Sequence, residues 1–403
     1  MNGGYIKSLD GLRAIAILLV MTFHADITYF GWMGVQLFFV LSGFLIISIL
    51  WKEKLKPGTI GEKLKRFWIR RSLRIFPLYF GFVLLLALGF WFLNYPATFK
   101  EYYPYLLTYT FNYSLHLPEK QGPFFTFLWS LSIEEQFYLL FPLIMFFCSR
   151  NFIKILMVSI IILAPFIRFA LGVYYTNLGY EPNVVANSIY WNTLSHMDAF
   201  FLGGLIPVFG LDLKIKKPNG IFYVSFVVVI VAGILNFINT PSSVYYINDL
   251  GYAHGIINNH IYVWEYTILN ILFASFILIL VSSYNQLKFS RLRNFLESKL
   301  MVHIGRVSYG MYVFHFGVIL IFNQLFLQNQ SIYIKLLFFV PYTAVVYLIS
   351  EISFRYFESP FIKLKEKLTS NSKKNLAVKI SPIKSNPDFL KLIKDSADEG
   401  LTN

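Results

Sequence analysis

The stretch Gly34-Val35-Gln36-Leu37-Phe38-Phe39-Val40-Leu41-Ser42-Gly43-Phe44-Leu45-Ile46-Ile47-Ser48-Ile49-Leu50-Trp51 has no ionisable side chain, and Lys52, Lys54 and Lys56 follow it directly. As a helix, such a run rises about 27 Å, close to the hydrocarbon thickness of a bilayer, so it reads as a membrane span. The lysines that close it give its direction, because short loops rich in Lys and Arg stay in the cytoplasm.

Working outward, comparable runs occur at 13–30, 76–93, 124–147, 153–173, 193–210, 220–238, 261–284, 301–325 and 332–356. Lys and Arg collect in every second connection. Nine lie in 52–74, then come Arg150 and Lys154, then Lys214, Lys216 and Lys217, four in 288–299, and nine from Lys363 to Lys394. The alternate connections hold only Lys100 and Lys120. The predicted fold is therefore all-α: a polytopic transmembrane helical bundle of about ten spans with both termini cytoplasmic. Residues 1–362 form the predicted transmembrane domain, and 363–403, rich in Lys, Ser, Asn and Asp, a largely disordered cytoplasmic tail. The first run contains Arg13, His24 and Asp26 and lacks a small-residue cleavage site, so it reads as a retained span rather than a cleaved signal.

Composition agrees. Of 403 residues, 56% are hydrophobic and 14% charged, with 43 Phe and 27 Tyr, against roughly 45–50% and 25% in soluble domains. That excludes a disordered chain and argues against a soluble enzyme. A single cysteine, Cys148, allows no internal disulfide and no thiol-based metal site, and no metal is expected. The net charge of +14 would suit nucleic acid in a soluble protein, yet 29 of the 35 Lys and Arg fall on the predicted cytoplasmic side. The charge chiefly records orientation, and no nucleic-acid partner is needed to explain it.

Polar side chains at membrane depth are costly, so each is a candidate for function. His24 follows Arg13 by eleven residues, about 16 Å along a helix, which puts Arg13 at the inner surface and His24 beyond the middle. In Trp129-Ser130-Leu131-Ser132-Ile133-Glu134-Glu135-Gln136-Phe137-Tyr138, two carboxylates sit near mid-depth. Glu134 shares a face with Ser130 and Tyr138 and is the one expected to face the bundle centre. His315 lies in mid-span after Ser308-Tyr309-Gly310-Met311-Tyr312. Lesser candidates are Gln36, Ser42, Arg168, His196, Asp198 and Glu351. Outside the core, Lys63-Leu64-Lys65-Arg66-Phe67-Trp68-Ile69-Arg70-Arg71-Ser72-Leu73-Arg74 reads as a helix on the inner surface, with guanidinium groups at the mouth of the bundle. Arginine suits a bidentate grip on phosphate oxygens, and the same run also suits anchoring to anionic lipid heads.

These segments, with Leu9-Asp10-Gly11-Leu12-Arg13-Ala14-Ile15-Ala16 and Tyr356-Phe357-Glu358-Ser359-Pro360, resemble in order and spacing the integral-membrane acyltransferase-3 family. The resemblance runs from residue 9 to 360. It implies a membrane O-acyltransferase that takes an acyl group, commonly acetyl, from cytoplasmic acyl-CoA and gives it to a hydroxyl of an extracytoplasmic acceptor, mostly a surface or lipid-linked carbohydrate. Acyl-CoA is then a co-substrate rather than a bound cofactor, and membrane lipid is the surrounding partner. His24 would be the essential histidine, Glu134 the membrane carboxylate, and Arg70, Arg71 and Arg74, with Arg13, the donor-binding positions. A multi-pass location in a bacterial cytoplasmic membrane follows from the same resemblance.

The chemistry of the residues is compatible. Acyl transfer to an alcohol needs a base and donors for the oxyanion; a histidine can be that base or can carry the acyl group briefly. A carboxylate can orient the histidine, so Glu134 is expected to pair with His24. His315 joins the catalytic set, while Ser130, Tyr138, Trp129 and Gln36 are expected to support acceptor or oxyanion. A proton-coupled transporter or flippase, with the same His and Glu as a relay, is the alternative. The outer loops 94–123, 174–192 and 239–260, including Tyr190-Trp191-Asn192 and the stretch from His254 to Trp264, read either as sugar-stacking surfaces or as an aromatic interface belt.

Overall fold

The computed structural model describes residues 5–92, 96–115, 125–239, 249–252, 260–282, 289–327, 330–364 and 368. The tail expected at 363–403 lies outside them apart from Lys363, Leu364 and Leu368. Ten helices form the body: α1 Lys7–His24, α2 Met33–Lys54, α3 Ile60–Phe92, α4 Trp129–Phe147, α5 Arg150–Asn177, α6 Met197–Phe209, α7 Pro218–Asn239, α8 Ile261–Val281, α9 Lys299–Phe322 and α10 Ile332–Ser353. No strand occurs among the described residues.

Each expected span meets a helix, but only eight helical segments among the described residues are long and apolar enough to cross a membrane. The other two are α1 and α6. Helix α1 carries Lys7, Asp10 and Arg13 within its 18 residues. Helix α6, even with the 3₁₀ turn before it, spans only Thr193–Phe209. Both lie inside the bundle, so neither has to satisfy lipid along its length: Leu12, Ala16, Ile17 and Met21 of α1 and Ala199 and Phe200 of α6 are fully buried. By contrast, only 11% of the apolar window of the last span is buried, against 78% for the segment containing α2.

The inner helices meet at glycines. A Cβ on Gly43 of α2 would lie 2.0 Å from the Phe200 carbonyl oxygen of α6, and one on Gly203 of α6 would lie 2.0 Å from that of Val40. Gly305 of α9 faces the Asp10 carbonyl of α1 at 1.9 Å in the same sense. Small residues let backbones touch where lipid offers no hydrophobic drive for association.

Two helix boundaries differ from the sequence expectation. The first span, expected over 13–30, ends as a helix at His24, because Asp26 takes a left-handed φ of 52° and the chain folds back with the Ile27 amide on the Thr22 carbonyl. The arginine-rich run is not a separate surface helix. It is the first half of α3, a continuous helix of 33 residues that passes through Pro77 and is about 50 Å long. The guanidinium groups are thereby carried directly on a spanning helix. Lys54, at the end of α2, donates from Nζ to the Met145 and Cys148 carbonyls at 2.7 and 2.8 Å, closing the C-terminus of α4.

Candidate active site

Helices α1, α2, α3, α4 and α9 line a partly open cavity with about 750 Å³ of empty space, part of it continuous with solvent. Its wall can be read by level. Val35, Ser130, Leu131 and Tyr312 stand at one end, Ser42, Glu134, Ser308 and Tyr309 in the middle, and Leu45, Tyr138, Arg13, Arg71 and Arg74 at the other. From Val35 to Leu45 the cavity follows α2 for about 15 Å. A second cavity of about 760 Å³ shares Arg71 and Arg74 with the first and is otherwise lined by Lys63, Arg66, Arg70, Glu53 and apolar side chains. Two arginines thus stand where one space meets the other.

Their bonding is unusual. Arg71 lies over the Tyr138 ring at 5.1 Å, and α3 is held to α4 there by the Trp68 indole donating to the Tyr138 carbonyl at 3.2 Å. Yet neither Arg71 nor Arg74 has a hydrogen-bond acceptor or ion-pair partner among the described residues. Arg13 is held at 2.7 Å by Asp10, whose other oxygen accepts from the Tyr5 hydroxyl. Burial and the Asp10 carboxylate push that phenol above its ordinary pKa.

Of the two adjacent carboxylates, Glu134 is the one in the cavity, as its face predicts. Its bonded partner is Ser42 of α2, with the Tyr138 hydroxyl beside both. The expected pairing of Glu134 with His24 is not formed. Helix rotation turns Glu134 toward α2 and α3, while His24, at the very end of α1, packs on other rings: His315 at 5.0 Å, Phe316 at 4.9 Å and Phe23 at 5.2 Å between centroids. His315 is fully buried. Its Nδ1 donates to the Tyr312 carbonyl at 2.6 Å, which leaves the lone pair on Nε2, an atom with no hydrogen-bond partner among the described residues. The two histidines are joined to the cavity through Tyr312. The hydroxyl of Tyr312 meets Ser130 Oγ at 2.6 Å and donates to the Phe127 carbonyl at 2.8 Å.

The remaining expectations divide. Ser130, Tyr138, Arg13, Arg71 and Arg74 line the first cavity, and Arg70 lines the second. Trp129 and Gln36 line neither. Each is one residue, about 100° of helix rotation, from a lining residue. They belong to a packed aromatic group, in which the Gln36 amide donates to His196 Nδ1 at 2.9 Å and Trp129 packs on Tyr190 at 4.6 Å. Sequence reasoning ranked Ser42 low and passed over Asp10 and Tyr312. Ser308, Tyr312 and His315 at i, i+4 and i+7 form a polar stripe within the apolar part of α9, a signal that was there to read.

Residues 6–354 match the family model described as "Acyltransferase domain". A protein of Staphylococcus aureus (strain COL), provisionally named an O-acetyltransferase, is 29% identical over 89% of this chain and 58% of its own length. O-acetyltransferase OatA of Staphylococcus aureus (strain NCTC 8325 / PS 47) is 27% identical over 89% of this chain and 57% of its own. The chain thus spans somewhat over half the length of these curated relatives. No solved structure matches it.

Proposed function

The chain belongs to the acyltransferase family that residues 6–354 match, and from that premise we propose that it is a membrane O-acetyltransferase drawing acetyl from cytoplasmic acetyl-CoA. The acceptor is a hydroxyl on the opposite side of the membrane, on a surface or lipid-linked carbohydrate. The membrane is the bacterial cytoplasmic membrane, with both termini inside. The relatives' names support acetyl as the group moved.

The observation that carries the donor half is the pair Arg71 and Arg74, which front both cavities and have no acceptor among the described residues. Arg71 is half-buried and Arg74 exposed to the cavity space, so their N–H groups are open to an entering ligand, and charged donors of this kind bind phosphate oxygens strongly. Coenzyme A has phosphates at one end and a thin arm at the other. In this reading its phosphates sit among Lys63, Arg66, Arg70, Arg71 and Arg74, and its arm runs along the 750 Å³ cavity toward Ser130 and Tyr312.

At that end stand the histidines. The acceptor oxygen attacks the thioester carbonyl carbon, the carbon–sulfur bond breaks, and the hydroxyl proton ends on the departing sulfur by way of histidine. His24 is the base. It terminates α1 and packs against His315 at 5.0 Å. His315 Nε2, held as an acceptor by the Nδ1 bond, takes or shares that proton. Transfer through a brief acetyl-histidine uses the same arrangement. Labelled acetyl retained on protein quenched after mixing with donor alone marks that route, and its absence marks direct transfer.

The test is donor binding and turnover side by side. Purified protein binds acetyl-CoA, and changing Arg71 and Arg74 together to Ala abolishes the binding; unchanged affinity returns the arginines to lipid anchoring. His24→Ala inserts normally and binds donor but transfers no acetyl. Normal transfer by that variant removes His24 from the chemistry.

A further inference from the structure

Tyr312 stands between the donor cavity and the two histidines. On the cavity side its ring forms the end wall with Val35, Phe38, Ser130 and Leu131, with Phe38 edge-on at 6.3 Å. On the other side it meets His315 at 5.4 Å, and His315 in turn meets His24 at 5.0 Å. The ring does not hang freely. Its hydroxyl is fixed between Ser130 Oγ and the Phe127 carbonyl, and Phe127 packs edge-on against it at 5.8 Å. The residue is 6% exposed.

The cavity changes character along its length. The end at Arg13, Arg71 and Arg74 is cationic, and the end at Tyr312 is apolar apart from Ser130. A donor entering with its phosphates at the arginines therefore points its acyl group at the Tyr312 ring. The wall behind that group is aromatic, hydrogen-bonded and closely packed, so it cannot retreat without breaking two hydrogen bonds.

We infer that Tyr312 sets the length of the acyl group this protein accepts: acetyl fits between the thioester and the ring and reaches the histidines past its edge, and longer chains are stopped against it. This rests on the donor reading above. Excluding even one methylene from a fitted apolar site is worth about tenfold or more, so four extra carbons are expected to matter strongly.

The experiment compares equilibrium binding of acetyl-CoA and hexanoyl-CoA to the full-length purified protein, a readout independent of turnover. Wild type prefers acetyl-CoA by at least about tenfold. Tyr312→Ala removes the wall and brings the two affinities together, while Tyr312→Phe, which keeps the ring, keeps the preference. Phe38→Ala, acting from the facing wall, relaxes the preference in the same direction and serves if Tyr312→Ala does not fold. Equal binding of both donors by wild type, or an unchanged ratio in the Ala variants, overturns the length gauge while leaving the donor site standing. A Phe variant that relaxes the preference as far as Ala overturns it too. Failure of wild type to bind either thioester sinks the donor reading itself.

Discussion

Two groups of arginines sit within the helical body, and they differ in how completely they are matched. Arg168 of α5 is wholly buried, and each of its nitrogens has an acceptor: Nε the Val263 carbonyl at 3.0 Å, Nη1 the Ser195 carbonyl at 2.7 Å and Asp198 at 3.1 Å, Nη2 the Thr267 hydroxyl. Asp198 is completed in turn by Thr267 at 2.6 Å and Asn270 at 3.3 Å, and the Tyr266 ring covers the guanidinium at 5.2 Å. Arg71 and Arg74 front cavities and have no acceptor among the described residues. A closed set ties α5, α6 and α8 together and has nothing left to offer a ligand. The open set has donors left to offer a ligand, as the proposed donor site requires.

The comparison breaks most severely at the closed set. Replacing Arg168 with Ala leaves the Asp198 carboxylate buried and unpaired, an arrangement that costs about 3–5 kcal/mol. The expected outcome is loss of most folded protein from the membrane, read by the yield of monodisperse detergent extract and its melting temperature. Whatever folds should still bind acetyl-CoA normally. A stable Arg168→Ala protein with impaired donor binding would reverse the roles assigned to the two groups.

The open set should behave in the opposite way. A charge-assisted hydrogen bond contributes about 1.5–3 kcal/mol. Arg71→Ala or Arg74→Ala singly is therefore expected to weaken acetyl-CoA binding by about tenfold to a hundredfold. Neither should lower the melting temperature of the donor-free protein by much, since no hydrogen bond or ion pair is lost, only the stacking of Arg71 on the Tyr138 ring. A clear drop in donor-free stability would show that these arginines are structural after all.

Much of the candidate site was legible in the sequence, and the reason lies in spacing. Arg13 and His24 are eleven residues apart on one helix, so their separation in depth follows from helical rise alone. Ser130, Glu134 and Tyr138 share a face by the same geometry, and they do line one cavity. What spacing cannot supply is how one helix is rotated against another. For that reason Glu134 was expected on His24 and is found on Ser42. Likewise, Trp129 and Gln36 were expected near the acceptor and are found packed with Tyr190 and His196. Sequence does set Arg74, at the end of a basic run, apart from Arg168, alone inside an apolar one, but it does not say that Arg168 is matched on every side, because its acceptors come from other helices. The end of α1 escaped notice for a local reason. The turn at Asp26 uses a left-handed residue where neither Gly nor Pro marks it.

The finest test concerns Ser42, whose hydroxyl donates to Glu134 beside Arg71. Ser42→Ala removes one hydrogen bond and frees a carboxylate oxygen, with a stability cost of about 1 kcal/mol. The freed oxygen has Arg71 as its nearest unmatched donor group, so the variant is expected to draw Arg71 toward Glu134 and weaken acetyl-CoA binding severalfold. If this is how the effect travels, it must vanish once Arg71 is gone: Ser42→Ala should change nothing further in an Arg71→Ala background. Titrating the four proteins with acetyl-CoA closes a double-mutant cycle, and residues that share a partner give a coupling well above the about 0.5 kcal/mol scatter of independent sites. Additive effects would mean instead that Ser42 touches the donor itself, as it would if the thioester stopped short of the Tyr312 end, at the level of Glu134.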